Sequence, residues 1–239
     1  MANSSDLPAF GTVFGSRNMG AAVATPMLSP ELLLSARLDG AKRAMDLIGS
    51  GIATILLSPL VLLIVLAIYA TEGRPILIAH RRIGLGGRGF SCYKFRSMVP
   101  DAEAALKRLF STDPLARQEW LENRKLKKDP RVTRVGRLLR KTSIDELPQL
   151  LNILRGEMSL VGPRPIVPDE AANYGRNIVD YLTIRPGLTG MWQVSGRSDT
   201  TYRQRVELDV SYARRRTLAQ DIAILFKTVR VVLTTRGSY

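Results

Sequence analysis

The chain has 239 residues, with 35 lysines and arginines against 21 aspartates and glutamates, and a formal net charge of +14. This length allows one good-sized domain and a membrane element, and the charge favours phosphate-rich partners: nucleic acid, anionic lipid or a phosphorylated substrate. Cys92 is the single cysteine and His80 the single histidine, which excludes an intrachain disulfide and argues against a structural zinc site. We therefore expect any metal to be a hard cation bound by carboxylates, such as Mg²⁺.

The first third of the chain divides into a polar tail and an apolar run. Residues 1–36 are rich in Ser, Ala, Gly and Pro, and we expect a disordered tail there. The residues from Leu47 to Ala70 carry no charge. At ~1.5 Å per residue, a helix of that length spans a hydrocarbon core of ~30 Å. We therefore predict a membrane helix within residues 37–73 and a domain on the membrane face formed by residues 74–239.

A proline in the middle of the apolar run bears on membrane topology. Pro59 removes one backbone donor, so we expect a bend at Ser58-Pro59, where the Ser58 hydroxyl could satisfy a freed carbonyl. Basic residues flank both ends of the run: Arg37, Lys42, Arg43, Arg74, Arg81, Arg82 and Arg88. Because basic flanks prefer the cytoplasmic side, a re-entrant hairpin that enters and leaves by the cytoplasmic face is favoured. A kinked single span and the buried helix of a soluble core are the alternatives.

The rest of the chain predicts a mostly helical α+β fold. Residues 76–98 are typical of a β-hairpin, and the glycines between its strands match Gly84-x-Gly86-x-x-Gly89. A dinucleotide-binding fingerprint should open a helix, so a hairpin turn is favoured here. Helices are predicted, in chain order, for residues 101–125 with a break at Pro114, Val132–Lys141, Asp145–Leu154, Asp169–Leu182 and Tyr202–Thr234.

The last predicted helical segment has an apolar face. It is formed by Leu218, Ile222, Leu225, Phe226 and Val229. Such a face is typical of a helix that lies on a membrane surface, and it would equally suit packing on the domain core.

An acidic pair lies inside the most basic stretch of the chain. Ser143 and Glu146 have the spacing of a capping box, which would place Asp145 in the first turn of a helix. The surrounding cations are Arg131, Arg134, Arg137, Arg140, Lys141 and Arg164. The arrangement indicates either a salt-bridge lattice or a phosphate-handling site, in which an ionised carboxylate could bind Mg²⁺ or attack phosphorus.

Two further segments have both a structural and a functional interpretation. Lys94 and Arg96 alternate with Tyr93 and Phe95, which on a strand puts the cations on one face and the aromatic rings on the other. The structural interpretation is a half-buried strand with a solvated face. The Trp192-Gln193 pair is taken as loop and core.

Six segments taken together resemble a known family. In chain order they are Lys94–Met98, Asp129–Thr133, Asp145–Leu150, Gly156–Ser159, Val161–Pro165 and Arg185–Gly190. Their order and sequence resemble the bacterial sugar transferase family, the monotopic phosphoglycosyl transferases. Within the family the chain is most similar to short exopolysaccharide-initiating enzymes that load galactose-1-phosphate onto undecaprenyl phosphate.

The resemblance implies a role for each matched residue. Asp145 matches the family's nucleophile and a ligand of Mg²⁺, and Glu146 matches its dyad partner. Phosphate or substrate binding is implied for Lys94, Arg96, Arg140 and Arg164. Ser58 and Pro59 match the hinge of the family's re-entrant membrane helix.

The resemblance also implies a reaction. A hexose-1-phosphate would pass from a UDP-sugar to undecaprenyl phosphate through a phosphosugar on the aspartate, with release of UMP, as the first step of exopolysaccharide or related glycoconjugate synthesis. The expected location is the cytoplasmic face of the bacterial inner membrane, with membrane lipid as a partner and no nucleic acid. Galactose is favoured by resemblance alone, and glucose or an N-acetylated sugar is the alternative. The oligomeric state is also open, with a homo-oligomer as one possibility. The alternative is a membrane-tethered basic module that binds anionic lipid or nucleic acid without catalysis.

Overall fold

The computed structural model describes residues 40–123, 126, 129–196 and 200–234, apart from the side chains of residues 121–123, 233 and 234. The predicted tail of residues 1–36 lies outside this part of the chain. Most of the described residues are helical and a few form two small sheets, so the predicted α+β class is confirmed.

The apolar run forms one long helix, α1, over Gly40–Glu72. Its 33 residues correspond to ~50 Å of helix. By length and composition it is apolar enough to cross a membrane, and little of it is buried against the rest of the protein. Ile55, for example, is 74% exposed. Large apolar side chains that face solvent at this density are expected of a helix that lies in lipid.

Helical structure continues through Pro59, in the middle of α1. Because proline has no N–H, the carbonyl of Ile55 four residues earlier loses its usual donor. The hydroxyl of Ser58 donates to that carbonyl at 2.8 Å. The predicted part of Ser58 in satisfying the freed carbonyl is therefore confirmed.

Strands β1 (Leu77–Ile83) and β2 (Gly89–Phe95) form the predicted antiparallel hairpin. They are joined by a 3-10 turn over Leu85–Gly87, in which Gly86 has φ 65°. A positive φ is readily adopted by glycine, so the glycine motif serves a turn and opens no helix. The hairpin interpretation is confirmed.

A second sheet was missed by the sequence analysis. Strands β3 (Ser159–Val161) and β4 (Gly187–Thr189) pair in parallel over three residues each. The second strand lies where the sequence suggested only a loop, and such short strands leave no alternation to detect. A Cβ on Gly187 would lie 2.1 Å from the backbone nitrogen of Gly162, so the close approach of the two segments requires glycine.

The helices that follow the hairpin occur near the predicted places. They are α2 (Ala102–Thr112), α3 (Pro114–Asn123), α4 (Arg134–Thr142), α5 (Gln149–Leu154), α6 (Ile178–Leu182), α7 (Met191–Val194), α8 (Tyr202–Arg215) and α9 (Leu218–Thr234). The break at Pro114 and the division of the last segment into two helices are confirmed. The predicted helices at Asp145–Leu154 and Asp169–Leu182 each begin instead with 3-10 structure, over Ile144–Glu146 and Pro168–Asn177.

Both ends of α1 pack on the same domain. Near its start, Lys42 forms an ion pair of 2.6 Å with Asp221 of α9. Near its end, Ile68 is fully buried in a cluster with Phe95 and Leu139. The two contact sites hold the beginning and the end of the helix to one body of the protein.

Helix α9 uses two faces. Ile224 is buried and Leu225 packs on the core, whereas a stripe on the other side is exposed. This stripe consists of Leu218, Ile222, Phe226 and Val229. The core accounts for one part of the predicted apolar face, and the exposed stripe stays available to a membrane surface.

Candidate active site

A cavity of about 1160 Å³ opens between β2, the turn after α4 and the loop after β3. Five of the six predicted catalytic and binding residues line it: Lys94, Arg140, Asp145, Glu146 and Arg164. They come from segments far apart in sequence, so the tertiary structure brings together the residues that resemblance alone had assigned to one site.

The turn that presents Asp145 differs from the predicted capping box. Ser143 has φ 58° and ends α4 in the left-handed conformation, and its side chain caps no amide. The capping-box prediction is therefore wrong. The residue at this position reverses the chain after α4 instead, and the following 3-10 turn points Asp145 into the cavity wall, where it is 8% exposed.

Burial dominates the electrostatics of Asp145. Loss of water and the neighbouring charge of Glu146 raise its pKa to about 6, against the lowering effect of Lys94 and Arg140. The cations that surround the acidic pair in the sequence favour an ionised carboxylate, yet the pKa of Asp145 is raised overall. With a pKa of about 6, about nine-tenths of Asp145 is still ionised at pH 7. The side chain is thus a poorly solvated and largely ionised carboxylate.

Glu146 is engaged by the predicted lysine. The ammonium of Lys94 lies 2.5 Å from Oε1 of Glu146, and both side chains are partly exposed in the cavity. The pair places a cation beside the two carboxylates, and this offsets part of their mutual repulsion.

Arg164 lies in the rigid loop after β3, against the indole of Trp192. Its guanidinium carbon is 5.7 Å from the ring centroid, and that of Arg205 is 4.8 Å from the same ring. Stacking of this kind is characteristic of arginine and orients its planar donors.

Arg96 does not join the site. It is 3% exposed and donates to the backbone carbonyls of Glu72 and Gly73, at 2.6 and 3.0 Å. Strand β2 ends at Phe95, so Arg96 lies outside the strand. The predicted alternation, which would have put Arg96 on the same face as Lys94, therefore does not include Arg96. Its position at the end of α1 indicates a structural role in place of the implied phosphate contact.

The cavity also contains charged residues that are not among the six predicted catalytic and binding residues. Arg131 holds Asp129 with two parallel hydrogen bonds, of 2.8 Å from Nε to Oδ1 and 2.6 Å from Nη2 to Oδ2. Arg82 and Arg137 line the same cavity. Asp129, Pro130 and Arg131 belong to one of the six matched segments. The two-residue spacing of Asp129 and Arg131 is the sequence feature from which this ion pair could have been predicted.

The cavity lining also includes apolar side chains. Leu57 and Leu60 flank the Ser58-Pro59 position of α1, and Leu225 and Val232 come from α9. A cavity lined by both cationic and apolar side chains suits a ligand that carries phosphate on one part and hydrocarbon on another.

The carboxylates fit a hard divalent cation. Within the described ranges no group of three or more His, Cys, Asp or Glu residues is arranged to hold a metal by protein ligands alone. Mg²⁺ commonly takes one or two carboxylates and completes its shell with water and substrate phosphates. Asp145 would be the residue to hold such an ion, because Glu146 is engaged by Lys94 and Asp129 by Arg131.

Comparison of the sequence with known proteins identifies its family. A family model described as bacterial sugar transferase matches residues 37–235. The chain is 48% identical to the exopolysaccharide production protein ExoY of Rhizobium meliloti, over 90% of this chain and 96% of that protein.

Two other relatives are named for their reactions. The undecaprenyl-phosphate galactose phosphotransferase of Salmonella typhimurium is 51% identical over 83% of this chain and 41% of that protein, so this chain spans about two fifths of it. The UDP-glucose:undecaprenyl-phosphate glucose-1-phosphate transferase of Caulobacter vibrioides is 40% identical over 84% of this chain and 73% of that protein. Since the family model covers most of the sequence, the chain belongs to the bacterial sugar transferase family.

Proposed function

We propose that the protein transfers a hexose-1-phosphate from a UDP-sugar to undecaprenyl phosphate through a covalent intermediate on Asp145. The observation that carries the proposal is a buried, largely ionised carboxylate in a cavity lined by both cationic and apolar side chains. Both substrates of such a reaction carry phosphate, and one of them carries a long hydrocarbon chain.

In the first half-reaction, a carboxylate oxygen of Asp145 attacks the sugar-proximal phosphorus of the UDP-sugar. The bond from that phosphorus to the bridging oxygen breaks, and the oxygen leaves with UMP. The product is a mixed anhydride between Asp145 and the sugar phosphate. Arg140 and Arg164, on the cavity wall, would stabilise negative charge on the phosphate oxygens during transfer.

In the second half-reaction, a phosphate oxygen of undecaprenyl phosphate attacks the same phosphorus and Asp145 leaves as the carboxylate. The product is a diphosphate-linked lipid sugar, and the enzyme returns to its starting state with no net proton transfer. The apolar side chains of Leu57 and Leu225, which line the same cavity as Asp145, would contact part of the hydrocarbon chain. A covalent intermediate lets one site meet a water-soluble donor and a membrane-bound acceptor in turn.

A divalent cation would be held by Asp145 together with the donor diphosphate. When bound, Mg²⁺ would supply charge neutralisation on the transferring phosphate. The side chain of Lys94 supports the same site from the protein, because its ammonium offsets the charge of Glu146 next to the nucleophile.

We further propose that α1 enters and leaves the membrane by the cytoplasmic face of the inner membrane. The support is that Lys42 and Ile68, near the two ends of the helix, contact the same domain. A helix that crossed the bilayer would place its two ends on opposite faces, about 30 Å apart across the hydrocarbon core. A domain on one face could then contact only one of the two ends. This location gives the catalytic domain access to soluble UDP-sugar and to the lipid acceptor.

Galactose is the sugar we favour. The Salmonella relative named for galactose is 51% identical to the chain, against 40% for the Caulobacter relative named for glucose. Purified enzyme offered UDP-galactose and UDP-glucose in separate reactions should therefore show the higher kcat/KM with UDP-galactose.

The covalent step is tested by omitting the acceptor. Purified protein is incubated with Mg²⁺ and UDP-galactose labelled in the sugar, and the label is mapped by mass spectrometry. We expect up to one UMP per enzyme and a phosphosugar on Asp145, with neither product in Asp145→Asn. Asp180→Asn is the matched control, since Asp180 pairs with the exposed Arg214, is absent from the cavity lining and should keep the labelling.

Two outcomes would contradict the scheme. The covalent route is wrong if UMP forms without any label on Asp145, or if Asp145→Asn turns over normally when acceptor is added. The alternative of a non-catalytic basic module would be favoured if no UMP forms with any UDP-sugar while anionic vesicles still bind the protein.

A further inference from the structure

The side chain of Asn152, on α5, is buried against one edge of strand β2. Asn152 is 0% exposed, and its carboxamide makes three hydrogen bonds. Its Oδ1 accepts from the backbone N–H of Tyr93 at 3.1 Å, and its Nδ2 donates to the backbone carbonyl of Ser91 at 2.7 Å. Nδ2 also donates to Oε2 of Glu157 at 2.6 Å. Both ends of the carboxamide are therefore engaged, and two of the three bonds join α5 to the backbone of β2.

The carboxamide of Asn152 takes the place of a neighbouring strand. Strand β1 pairs with β2 along its other edge, where Arg81 is opposite Ser91 and Ala79 is opposite Tyr93. In such a pair the N–H and C=O of alternate residues point away from the partner strand and need another partner. A shift of β2 by one residue would replace both groups bonded by Asn152 with groups that face β1. The two hydrogen bonds thus define the register of β2 on α5.

Apolar packing between α5 and β2 does not define this register by itself. Leu150 and Ile153 of α5 lie in one buried cluster with Phe90 and Cys92 of β2. Hydrophobic contact is non-directional, whereas hydrogen bonds depend on both distance and angle. The cluster holds the two elements together, and Asn152 sets where along β2 they meet.

The register matters because both elements bring a charged residue to the cavity. Lys94 directly follows Tyr93, and Glu146 lies in the 3-10 turn that leads into α5. Their side chains meet at 2.5 Å, next to Asp145. The strength of an ion pair falls with distance, so a displaced β2 would weaken the charge that Lys94 places beside the two carboxylates.

We propose that Asn152 is a positioning residue, which holds β2 so that the ammonium of Lys94 lies beside Glu146 and Asp145. Asn152 does not line the cavity, so it acts through Lys94 and not on the substrate. The inference rests on the proposed function, because it assigns the two carboxylates to the transfer of a sugar phosphate.

The burst of UMP in the absence of acceptor separates positioning from structural support. Enzyme is mixed with Mg²⁺ and saturating UDP-galactose, and UMP is measured in rapidly quenched samples. The amplitude of the burst counts competent enzyme, and its rate constant reports the transfer step. We expect Asn152→Ala to lower the rate constant by roughly 3- to 10-fold and to keep the amplitude per folded enzyme. A purely structural role would lower the amplitude and leave the rate constant unchanged.

A double-mutant cycle with Lys94→Met tests whether the effect passes through Lys94. In the Lys94→Met background, Asn152→Ala should change the rate constant by less than about twofold. Ile153→Val is the matched control, since it trims a neighbouring buried side chain of α5 without removing a hydrogen bond to β2. It should lower stability and leave the rate constant unchanged in both backgrounds. If Asn152→Ala does not fold, Asn152→Ser replaces it, because its hydroxyl can keep one bond, with an expected loss of roughly 2- to 5-fold.

The outcomes distinguish this inference from the proposed function. If wild-type protein gives a burst of UMP but Asn152→Ala slows it equally in the presence and absence of Lys94, the positioning role is wrong and the reaction stands. An unchanged rate constant with a lower amplitude leads to the same conclusion. If wild-type protein releases no UMP from UDP-galactose or UDP-glucose, the proposed function fails and the inference fails with it.

Discussion

Lys94 of β2 and Glu146 of the turn after α4 form an ion pair of 2.5 Å, although 52 residues separate them in the chain. The pair lies next to Asp145, whose pKa is raised by the charge of Glu146 and lowered by that of Lys94. The hairpin and the turn after α4 are therefore joined at the point where Asp145 faces the cavity, and each charge of the pair acts on its carboxyl.

The pair predicts coupled substitutions. Lys94→Met leaves the charge of Glu146 unopposed beside Asp145 and the incoming phosphates, and UMP release should fall by roughly tenfold or more. Adding Glu146→Gln removes the unopposed charge, so the double variant should lose less than the product of the two single losses. Steady-state rates with UDP-galactose and acceptor measure this. Losses that multiply would mean that the two residues act independently.

We expect substitution of Arg96 to lower stability without weakening the affinity for substrate. Arg96→Ala removes two hydrogen bonds to the end of α1 and leaves Glu72 buried beside no cation, which should lower stability by about 3–5 kcal/mol. The KM for UDP-galactose of the folded fraction should stay within about threefold, since Arg96 lies outside the cavity. Thermal unfolding in detergent and steady-state kinetics provide the two measurements.

The matched control for Arg96 is Arg155→Ala. Arg155 is exposed, and its contact is with the ring and hydroxyl of Tyr93, so stability should change by less than ~1 kcal/mol. A rise in KM of tenfold or more in Arg96→Ala would restore the phosphate-binding role that the family resemblance implied.

Asp209 predicts a pH dependence of stability. Its pKa is raised from 3.8 to about 7 in the folded protein, mainly by burial. Between these values the unfolded chain loses the proton while the folded chain keeps it, so the contribution of Asp209 to stability is complete below pH ~4 and declines until pH ~7. The decline is on the order of 4 kcal/mol.

Asp209→Asn should abolish this decline. The stability of the variant relative to wild type should therefore rise as the pH increases from 4 to 8, as measured by denaturant unfolding at each pH. A difference between the two proteins that is constant across this range would show that the carboxyl does not change protonation on unfolding.

The re-entrant topology predicts where the N-terminal tail lies. A cysteine introduced by Ser4→Cys should react with a membrane-impermeant maleimide in inverted membrane vesicles and be protected in intact spheroplasts. Wild-type protein is a suitable control because its one cysteine, Cys92, is buried and should label slowly. Reaction of Ser4→Cys in intact spheroplasts would place the tail outside and contradict the hairpin.

Local sequence patterns predicted much of the fold. The uncharged run predicted α1, the alternating residues and glycines predicted the hairpin, and Pro114 predicted a helix break. Each depends on interactions between residues close in the chain, such as the missing N–H of proline or the positive φ of glycine. Where the structure differs, as in the left-handed Ser143 and the short parallel strands β3 and β4, the conformation depends on packing that no short window contains.

The composition of the active site was available from the sequence, whereas its electrostatics were not. The family resemblance assigned Asp145, Glu146, Lys94, Arg140 and Arg164 to one site, and all five line the cavity. Arg96 was assigned with them by the same resemblance and lies elsewhere. The upward shift in the pKa of Asp145 required the structure, because desolvation depends on which atoms of distant segments displace water around a carboxylate.

The sequence by itself thus determined the family, the membrane helix and the residues assigned to the candidate site, since these follow from residue type and order. The tertiary structure decided which polar groups meet: Lys94 with Glu146, Arg96 with the end of α1, and Asp209 with Tyr174. Ion pairs and buried carboxylates depend on distance and on the exclusion of water, and both are set only when segments far apart in the chain are packed together.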